Sequence, residues 1–371
     1  MSKLINVKYN KKPCYDICIE KNFKALAGKI GELYEGKKKA CIVTDSTVGP
    51  LYAETLTNAV KDCFSEIVVF TFKAGEESKN MDTVQDGMEF LLKNNFTRKD
   101  VILALGGGVV GDTAGFIASI YMRGIDFIQI PSTLLACVDS SVGGKTGVDY
   151  KGYKNIVGAF KMPRLVYINT GLLSSLTARQ YYSGMGEVLK YGLIMDAKYY
   201  EWILDNMYGI FDLKPSILEE MIEKSCLCKQ KVVESDPLEE GLRKILNFGH
   251  TLGHAIEKHV NFKLLHGECV ALGMICAAHI SWKRGMISME DFFEIRDMMV
   301  PFNLPITIED IDVKEVVKLT KNDKKNDSGS KKAKFVLLSK VGKAVFDEEV
   351  SDEEMLTALA EIHYTEEDMK A

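Results

Sequence analysis

Histidine is scarce in this 371-residue chain: there are six, and five of them fall between His250 and His279. A surplus of basic residues is also missing. Lys and Arg number 47 against 52 Asp and Glu, a formal net charge of −5, and no dense Lys/Arg block occurs. The chain therefore lacks the electrostatic footprint that nucleic acid or an anionic membrane would require. No apolar run reaches the roughly 20 residues needed to span a bilayer. The opening Met1-Ser2-Lys3-Leu4-Ile5-Asn6 has no apolar signal-peptide core, so a cytoplasmic location is expected. Nine cysteines, an odd number, are scattered without a repeated CxxC, which argues against a disulfide framework or a zinc ribbon and for reduced, mostly buried thiols. No internal repeat is visible.

What is present is an alternation of short β-branched runs and amphipathic stretches in the first half. Residues 39–45, 65–72 and 100–105 read as strands, and 50–64 and 81–94 as helices. That rhythm predicts βαβ units and a parallel sheet, a Rossmann-like α/β fold. After Leu176 the strand signal nearly vanishes, apart from Lys334–Leu338, and helical patterns cover 185–195, 215–233, 243–260, 268–284 and 289–299. Two domains are expected, 1–177 and a mainly α-helical 178–371.

Three segments carry chemistry. The strand ending at Leu105 runs into Gly106-Gly107-Gly108-Val109-Val110-Gly111-Asp112, a glycine turn that could bring backbone N–H groups to a phosphate at a helix N-terminus or merely pack helix on sheet. Asp45, ending an earlier strand, could accept hydrogen bonds from a ribose or serve as a turn residue. Pro131–Asp149 and Lys154–Phe160 are rich in small and hydroxylated residues around Asp139, Lys145 and Lys154, too polar for a core element. Gly143-Gly144-Lys145-Thr146 lacks the upstream glycine of a P-loop, because Asp139 stands there, so a Walker-type ATPase is rejected. A loop offering an ammonium group and exposed amides to an anionic, hydroxyl-rich ligand accounts for it better. In the third segment, His250 and His254 are four apart, so on a helix both rise from one face and could share an ion.

Taken with Gly184–Gly192, Arg243–Glu257 and Leu265–Gly273, these segments make the chain resemble the 3-dehydroquinate synthase family along nearly its whole length. The wider superfamily of glycerol and iron-type alcohol dehydrogenases shares the triple-glycine turn. It does not share all of Val142–Val148 together with Lys154-Asn155.

The resemblance implies metal ligands at Glu187, His250 and His266, a zinc or cobalt site. His254 then becomes a proton-transfer group, although spacing alone favours it as a ligand beside His250. His259 and His279 are left as structural. Substrate contacts are implied at Arg123, Asp139, Lys145, Asn155, Lys190, Lys229, Arg243, Asn247 and one lysine of Asp323-Lys324-Lys325, with Lys324 preferred. Lys190 could instead make a plain i,i+3 ion pair with Glu187. Lys145, Lys190, Glu239 and His254 are the implied catalytic groups, though Glu239 precedes Glu240 and could be a solvated helix start. NAD contacts are implied at Asp45, Glu76, Lys79, Gly107, Gly108 and Asp112, and further at Ser132, Thr133, Lys154, Leu172 and Ser175.

The implied reaction converts 3-deoxy-arabino-heptulosonate 7-phosphate to 3-dehydroquinate and phosphate, in the shikimate route to aromatic amino acids. NAD+ is used and regenerated, and a homodimer is implied with Arg123 reaching the neighbouring site. Three positions depart from the usual pattern: Asp149 for asparagine, Ser132 for threonine, and Gly186 for alanine, the last two read as conservative. Asp149 could weaken an anionic ligand's binding or be neutralised by Lys151 or Lys154. The rivals are another sugar-phosphate cyclase and a polyol dehydrogenase of the same superfamily.

Overall fold

The computed structural model describes residues 3–321 and 333–364. The chain divides into two compact units, one running to Leu176 and including Tyr208–Leu238, the other comprising Thr177–Met207 and the residues from Glu239 onward. The single boundary expected at 177/178 is thus crossed by residues 208–238. The cause is the helix Pro215–Ser235, which packs on the amino-terminal strands. Lys3 Nζ lies 2.6 Å from Glu223, and Lys8 N donates to Glu234 at 2.8 Å.

The first unit is built on a seven-stranded sheet. Its strands are β1 (Lys3–Tyr9), β2 (Lys12–Glu20), β3 (Lys38–Asp45), β4 (Phe64–Phe72), β5 (Val101–Gly106), β6 (Asp126–Pro131) and β9 (Leu165–Asn169). The spatial order is β1-β2-β9-β6-β5-β3-β4, and only the β1–β2 pairing is antiparallel. That leading hairpin carries no strand expectation from the sequence. The remaining two strands, β7 (Lys145–Tyr150) and β8 (Tyr153–Phe160), form a separate antiparallel hairpin. Residues 145–160 are therefore a hairpin and not the loop that their polarity suggests.

Continuous apolar runs mark strands covered on both faces, and every residue of β5 and β9 is buried. Alternation separates the two cores. Ile42 and Leu103 point to one, with Leu56, Leu26 and Tyr167, while Cys41, Val43, Ile102 and Ala104 point to the other, with Ile117 and Phe127. The chain leaves β3 toward β4 on one side and then crosses to β5 on the other. The order therefore reverses between β3 and β5, which makes their carboxyl ends the switch point where open α/β sheets bind ligands.

The second unit is helix-rich, with the helices Ala178–Met195, His250–His259, His266–Lys283, Met289–Asp297 and Asp352–Ile362. His266–Lys283 is its central element, buried at every position from Gly267 to Ser281. The strand Ala333–Lys340 forms as expected and pairs with Lys343–Val350, whose short apolar run Ala344–Phe346 followed by Asp347-Glu348-Glu349 carries no strand pattern. One expected helix is broken. Residues 243–260 form a 3₁₀ segment, Leu242–Asn247, and a separate α-helix, His250–His259, because Gly249 takes φ 80° between them.

No helix among the described residues is long and apolar enough to cross a membrane. All nine cysteines are free and seven are buried. Burial pushes the Cys18 and Cys41 thiols up to about 11 and about 12, so they behave as inert core groups.

Candidate metal centre and nucleotide turn

Three helices of the second unit meet through glycines. A Cβ on Gly186 would lie 2.8 Å from the Gly267 carbonyl oxygen, and one on Gly253 would lie 2.8 Å from that of Cys269. At Gly267 a Cβ would collide with the Ser183 carbonyl, and at Gly273 with that of Gly249. Each glycine pair lets one backbone rest on another, and each candidate ligand is a chain neighbour of one of these glycines. Glu187 follows Gly186, His250 follows Gly249, His254 follows Gly253, and His266 precedes Gly267. Alanine at 186 is therefore not a neutral exchange in this chain, because backbone would have to move. Gly267→Ala should lower the urea unfolding midpoint by the equivalent of about 1–3 kcal/mol, the range for overpacking. An alanine variant as stable as the parent would show that the helices can part without cost.

The residues gathered at this seam are polar and buried. The ligand atoms of His250, His254 and His266 all lie within 4.8 Å of one another. Glu187 is fully buried, and neither of its carboxylate oxygens takes part in a hydrogen bond. Oε1 lies 3.5 Å from His250 Nε2 and 3.6 Å from His266 Nε2, and Oε2 contacts the ammonium of Lys190, itself 1% exposed. Lys190 compensates Oε2, but Oε1 faces only imidazole nitrogens, and a buried carboxylate oxygen without a donor is costly unless a further cation completes its shell. His250 Nδ1 lies 3.0 Å from the Phe248 carbonyl, so its proton belongs there and Nε2 presents a lone pair toward Glu187 and the other imidazoles. Burial first, then the nearby Lys190, holds this imidazole well below its ordinary pKa and hence neutral. A divalent ion fits this donor set, and with two or three imidazoles and one carboxylate the set suits zinc or cobalt.

Beside the cluster, Arg243 is 2% exposed in the 3₁₀ segment, and Asn247 Nδ2 donates to Glu239 Oε1 at 2.8 Å. Glu239 holds φ 65°, a backbone conformation that a solvated helix start would not need. His259 accepts from Asp312 N at 3.2 Å, and His279 packs edge-on against Trp282 and Phe292, so both are structural. Lys324, with its neighbours Asp323 and Lys325, lies outside the described residues.

The first unit assembles a different set of groups. Five parallel strands end near one another, and the candidate cofactor residues follow those ends: Asp45 closes β3, Glu76 and Lys79 follow β4, Gly107 and Gly108 follow β5, Ser132 and Thr133 follow β6, and Leu172 and Ser175 follow β9. The helix Gly108–Ile120 starts directly from β5. A Cβ on Gly107 would come within 3.1 Å of Thr133, and one on Gly108 within 3.2 Å of Ser140, so only glycine leaves the turn open. The Ser132 hydroxyl is buried without a hydrogen-bond partner. An open turn at a helix N-terminus beside such a hydroxyl fits a bound pyrophosphate.

Other candidates are already engaged. Asp45 Oδ1 accepts from the backbone N–H groups of Thr47 and Val48, both at 2.8 Å, which is a turn role and leaves its second oxygen outside that turn. Leu172 belongs to the core, and the Ser175 hydroxyl donates to its carbonyl at 2.9 Å. Lys79, 5% exposed, donates to Asp112 at 2.7 Å and to Asn155 at 2.6 Å. Burial would lower the pKa of this ammonium, but Asp112 and Glu76 outweigh it and hold the group charged. Lys154 lies 3.5 Å from Glu76.

The structure also gives Asp149 a role that the sequence left undecided. Its carboxylate accepts from Asn155 N at 2.8 Å, and its own N–H donates to Lys79 O, bracing Asn155 at φ 51° in the hairpin. Asp139 sits in a π-helical turn, Ala136–Ser140, with Oδ1 and carbonyl oxygen both 2.7 Å from Lys229 Nζ. Lys145 opens β7 and is exposed. Arg123 lies on an exposed turn where Met122, Arg123 and Gly124 all have positive φ.

The N-terminal and C-terminal family models of 3-dehydroquinate synthase match residues 69–183 and 184–326. The 3-dehydroquinate synthase of Streptococcus thermophilus is 44% identical over 346 residues, covering 93% of this chain and 96% of that protein. Among solved structures, a 2-deoxy-scyllo-inosose synthase complexed with carbaglucose-6-phosphate, NAD+ and Co2+ superposes with a TM-score of 0.87 at 26% identity, covering 97% of this chain and 99% of that one. The 2-epi-5-epi-valiolone synthase of Streptomyces hygroscopicus subsp. jinggangensis, with NAD+ and Zn2+ bound, has the same TM-score and identity over 96% and 99%. With both family models matched in sequence order and this identity sustained along nearly the whole length, the chain belongs to the 3-dehydroquinate synthase family.

Proposed function

We propose that this chain is a 3-dehydroquinate synthase, a phosphate-eliminating lyase that depends on NAD and a divalent metal. The observation that carries the reading is the buried Glu187 carboxylate, whose Oε2 is paired with a buried ammonium while Oε1 is left facing two imidazoles, in a chain 44% identical to a 3-dehydroquinate synthase. The solved cyclases that acted as structural neighbours are less similar in sequence, at 26% identity. When bound, NAD+ would accept and return a hydride, and Zn2+ or Co2+ would acidify substrate hydroxyls.

The protein's own residues would supply holding, orientation and proton handling. Glu187, His250 and His266 are the ligands we assign, with His250 fixed in its tautomer by the Phe248 carbonyl. Lys190, Arg243 and Asn247 would contact substrate in the second unit, with Glu239 and His254 moving protons. In the first unit Asp139, Lys145, Asn155 and Lys229 would contact substrate. There the open Gly107-Gly108 turn, Ser132 and Thr133 would take the pyrophosphate, and Asp45 Oδ2 a ribose hydroxyl. Glu76, Lys79, Asp112 and Lys154 would supply further polar contacts to the cofactor, with Leu172 and Ser175, which follow β9, completing the set.

A cytoplasmic location and a homodimer complete the proposal. In support of the dimer, the β7–β8 hairpin leaves Tyr150, Tyr153, Ile156 and Phe160 each at least 42% exposed. A second copy with Arg123 in reach of its site would use that surface.

One assay separates this function from its rivals. With 3-deoxy-arabino-heptulosonate 7-phosphate, catalytic NAD+ and Zn2+, phosphate should be released with no net NADH, and a chelator should stop it. Stoichiometric NADH would identify a dehydrogenase. Turnover of a different sugar phosphate with none of this substrate would identify another cyclase.

A further inference from the structure

We propose that Arg179 and Glu268, which belong to none of the ligand, substrate or cofactor sets, form a positioning clamp that sets His266 as a metal ligand. The inference rests on the metal-centre reading above. Arg179 stands in the first turn of the helix that carries Glu187, and Glu268 stands two residues beyond His266 in the first turn of the helix that His266 opens. Arg179 Nε donates to Glu268 Oε1 at 2.6 Å and Nη2 to Oε2 at 2.7 Å, a two-pronged pair that fixes direction as well as distance. Each partner is also tied to the backbone preceding that helix. Arg179 Nη2 donates to the Lys263 carbonyl at 3.0 Å, and Glu268 Oε2 accepts from Leu265 N at 2.7 Å. The Glu268 side chain is 9% exposed and that of Arg179 55%, so the carboxylate end of the pair is buried against the turn while the guanidinium reaches it from the surface.

His266 lies between Leu265 and Gly267, and all three are held. Leu265 N is bound by Glu268, Gly267 N donates to Ser183 Oγ at 3.1 Å, and the imidazole sits 3.6 Å from Glu187. The clamp thus locks the turn carrying one ligand to the helix carrying another, across which the ion would be shared. Groups that orient metal ligands from outside the coordination shell change affinity by about 10–100-fold when removed.

The test is made on the full-length protein stripped of metal with a chelator and titrated with Co2+, followed by its visible absorption, with Zn2+ in competition. Arg179→Met is expected to bind Co2+ about 10–100-fold more weakly while keeping the parent's circular dichroism. The sign is diagnostic: removing a positive charge near a cation site would, by Coulomb's law alone, tighten binding. Arg179→Lys keeps the charge without the fork and should fall between the two. It also serves as the deciding variant if Arg179→Met does not fold. Parent-like or tighter binding in Arg179→Met, or in Arg179→Lys where that variant decides, with His266→Ala unable to bind, overturns the clamp alone. Parent-like binding by His266→Ala overturns the ligand assignment and the clamp with it.

Discussion

Glu187→Gln should bind Zn2+ or Co2+ at least roughly a thousandfold more weakly and lose turnover in proportion. The estimate follows from charge: at about 4 Å and an effective dielectric near 20, one unit charge contributes about 4 kcal/mol, and each 1.4 kcal/mol is tenfold. The true loss should be larger, because the ion is divalent and the amide leaves Lys190 facing it uncompensated. Lys190 is 1% exposed and touches Glu187, so the variant also strands a buried ammonium and should be less stable. A second variant separates the two effects. Glu187→Gln combined with Lys190→Met removes the stranded charge, so its unfolding midpoint should recover, but its metal affinity should not. Metal content measured after dialysis, alongside thermal unfolding, reads both. A Glu187→Gln protein that retains a full equivalent of zinc would remove this carboxylate from the ligand set.

The other large effect is expected at Lys79. Its ammonium, itself 5% exposed, holds Asp112 at 2.7 Å and Asn155 at 2.6 Å, so Lys79→Met leaves a part-buried carboxylate without its cation. Breaking a fully buried pair from one side costs about 3–5 kcal/mol, and the partial exposure of Asp112 lowers that to about 1–3 kcal/mol. The urea unfolding midpoint of the first unit should fall accordingly, and NAD affinity with it. Replacing both partners, as in Lys79→Met with Asp112→Leu, should return much of the stability, since apolar groups of similar volume often match a buried ion pair. NAD affinity should stay low in the double variant, as Asp112 and the order of Asn155 would both be gone. A single variant as stable as the parent, measured by intrinsic fluorescence, would mean that solvent alone satisfies Asp112 and the ion pair contributes nothing.

The parts of the fold that follow a period were legible in the sequence. The run that becomes β5 is apolar throughout and so is the middle of β3, because both faces are covered there, while β4, at the sheet edge, is readable from its β-branched residues; the helices between them show one apolar face. What escaped depends on a pairing partner and not on the segment's own period. Lys3–Tyr9 earns its place by pairing with Lys12–Glu20, which in turn pairs with β9, and Lys343–Val350, an apolar run followed by three acidic residues, is a strand because Ala333–Lys340 lies beside it. The break at Gly249 was readable only as a glycine, and its reason is the helix crossing at Gly273. For the metal centre, spacing selects His250 and His254, whose atoms the structure does bring together. Glu187 could not have been found from spacing, since it lies 63 residues before His250 in the numbering. Arg179 and Glu268 carried no motif at all, and the one readable hint was Glu268 in the third helical position after Leu265.

The glycine seam beneath the metal centre also limits how the centre can drift. Where side chains separate two helices, a lost methyl group can be absorbed by a changed rotamer, and the backbones settle by fractions of an ångström. Where carbonyl oxygen meets Cα directly, as at Gly186 against Gly267 and Gly249 against Gly273, there is no rotamer to change. Substitutions elsewhere in the core can therefore soften this unit without moving Glu187, His250 and His266 relative to one another, and a change of metal preference would have to come through the donors themselves.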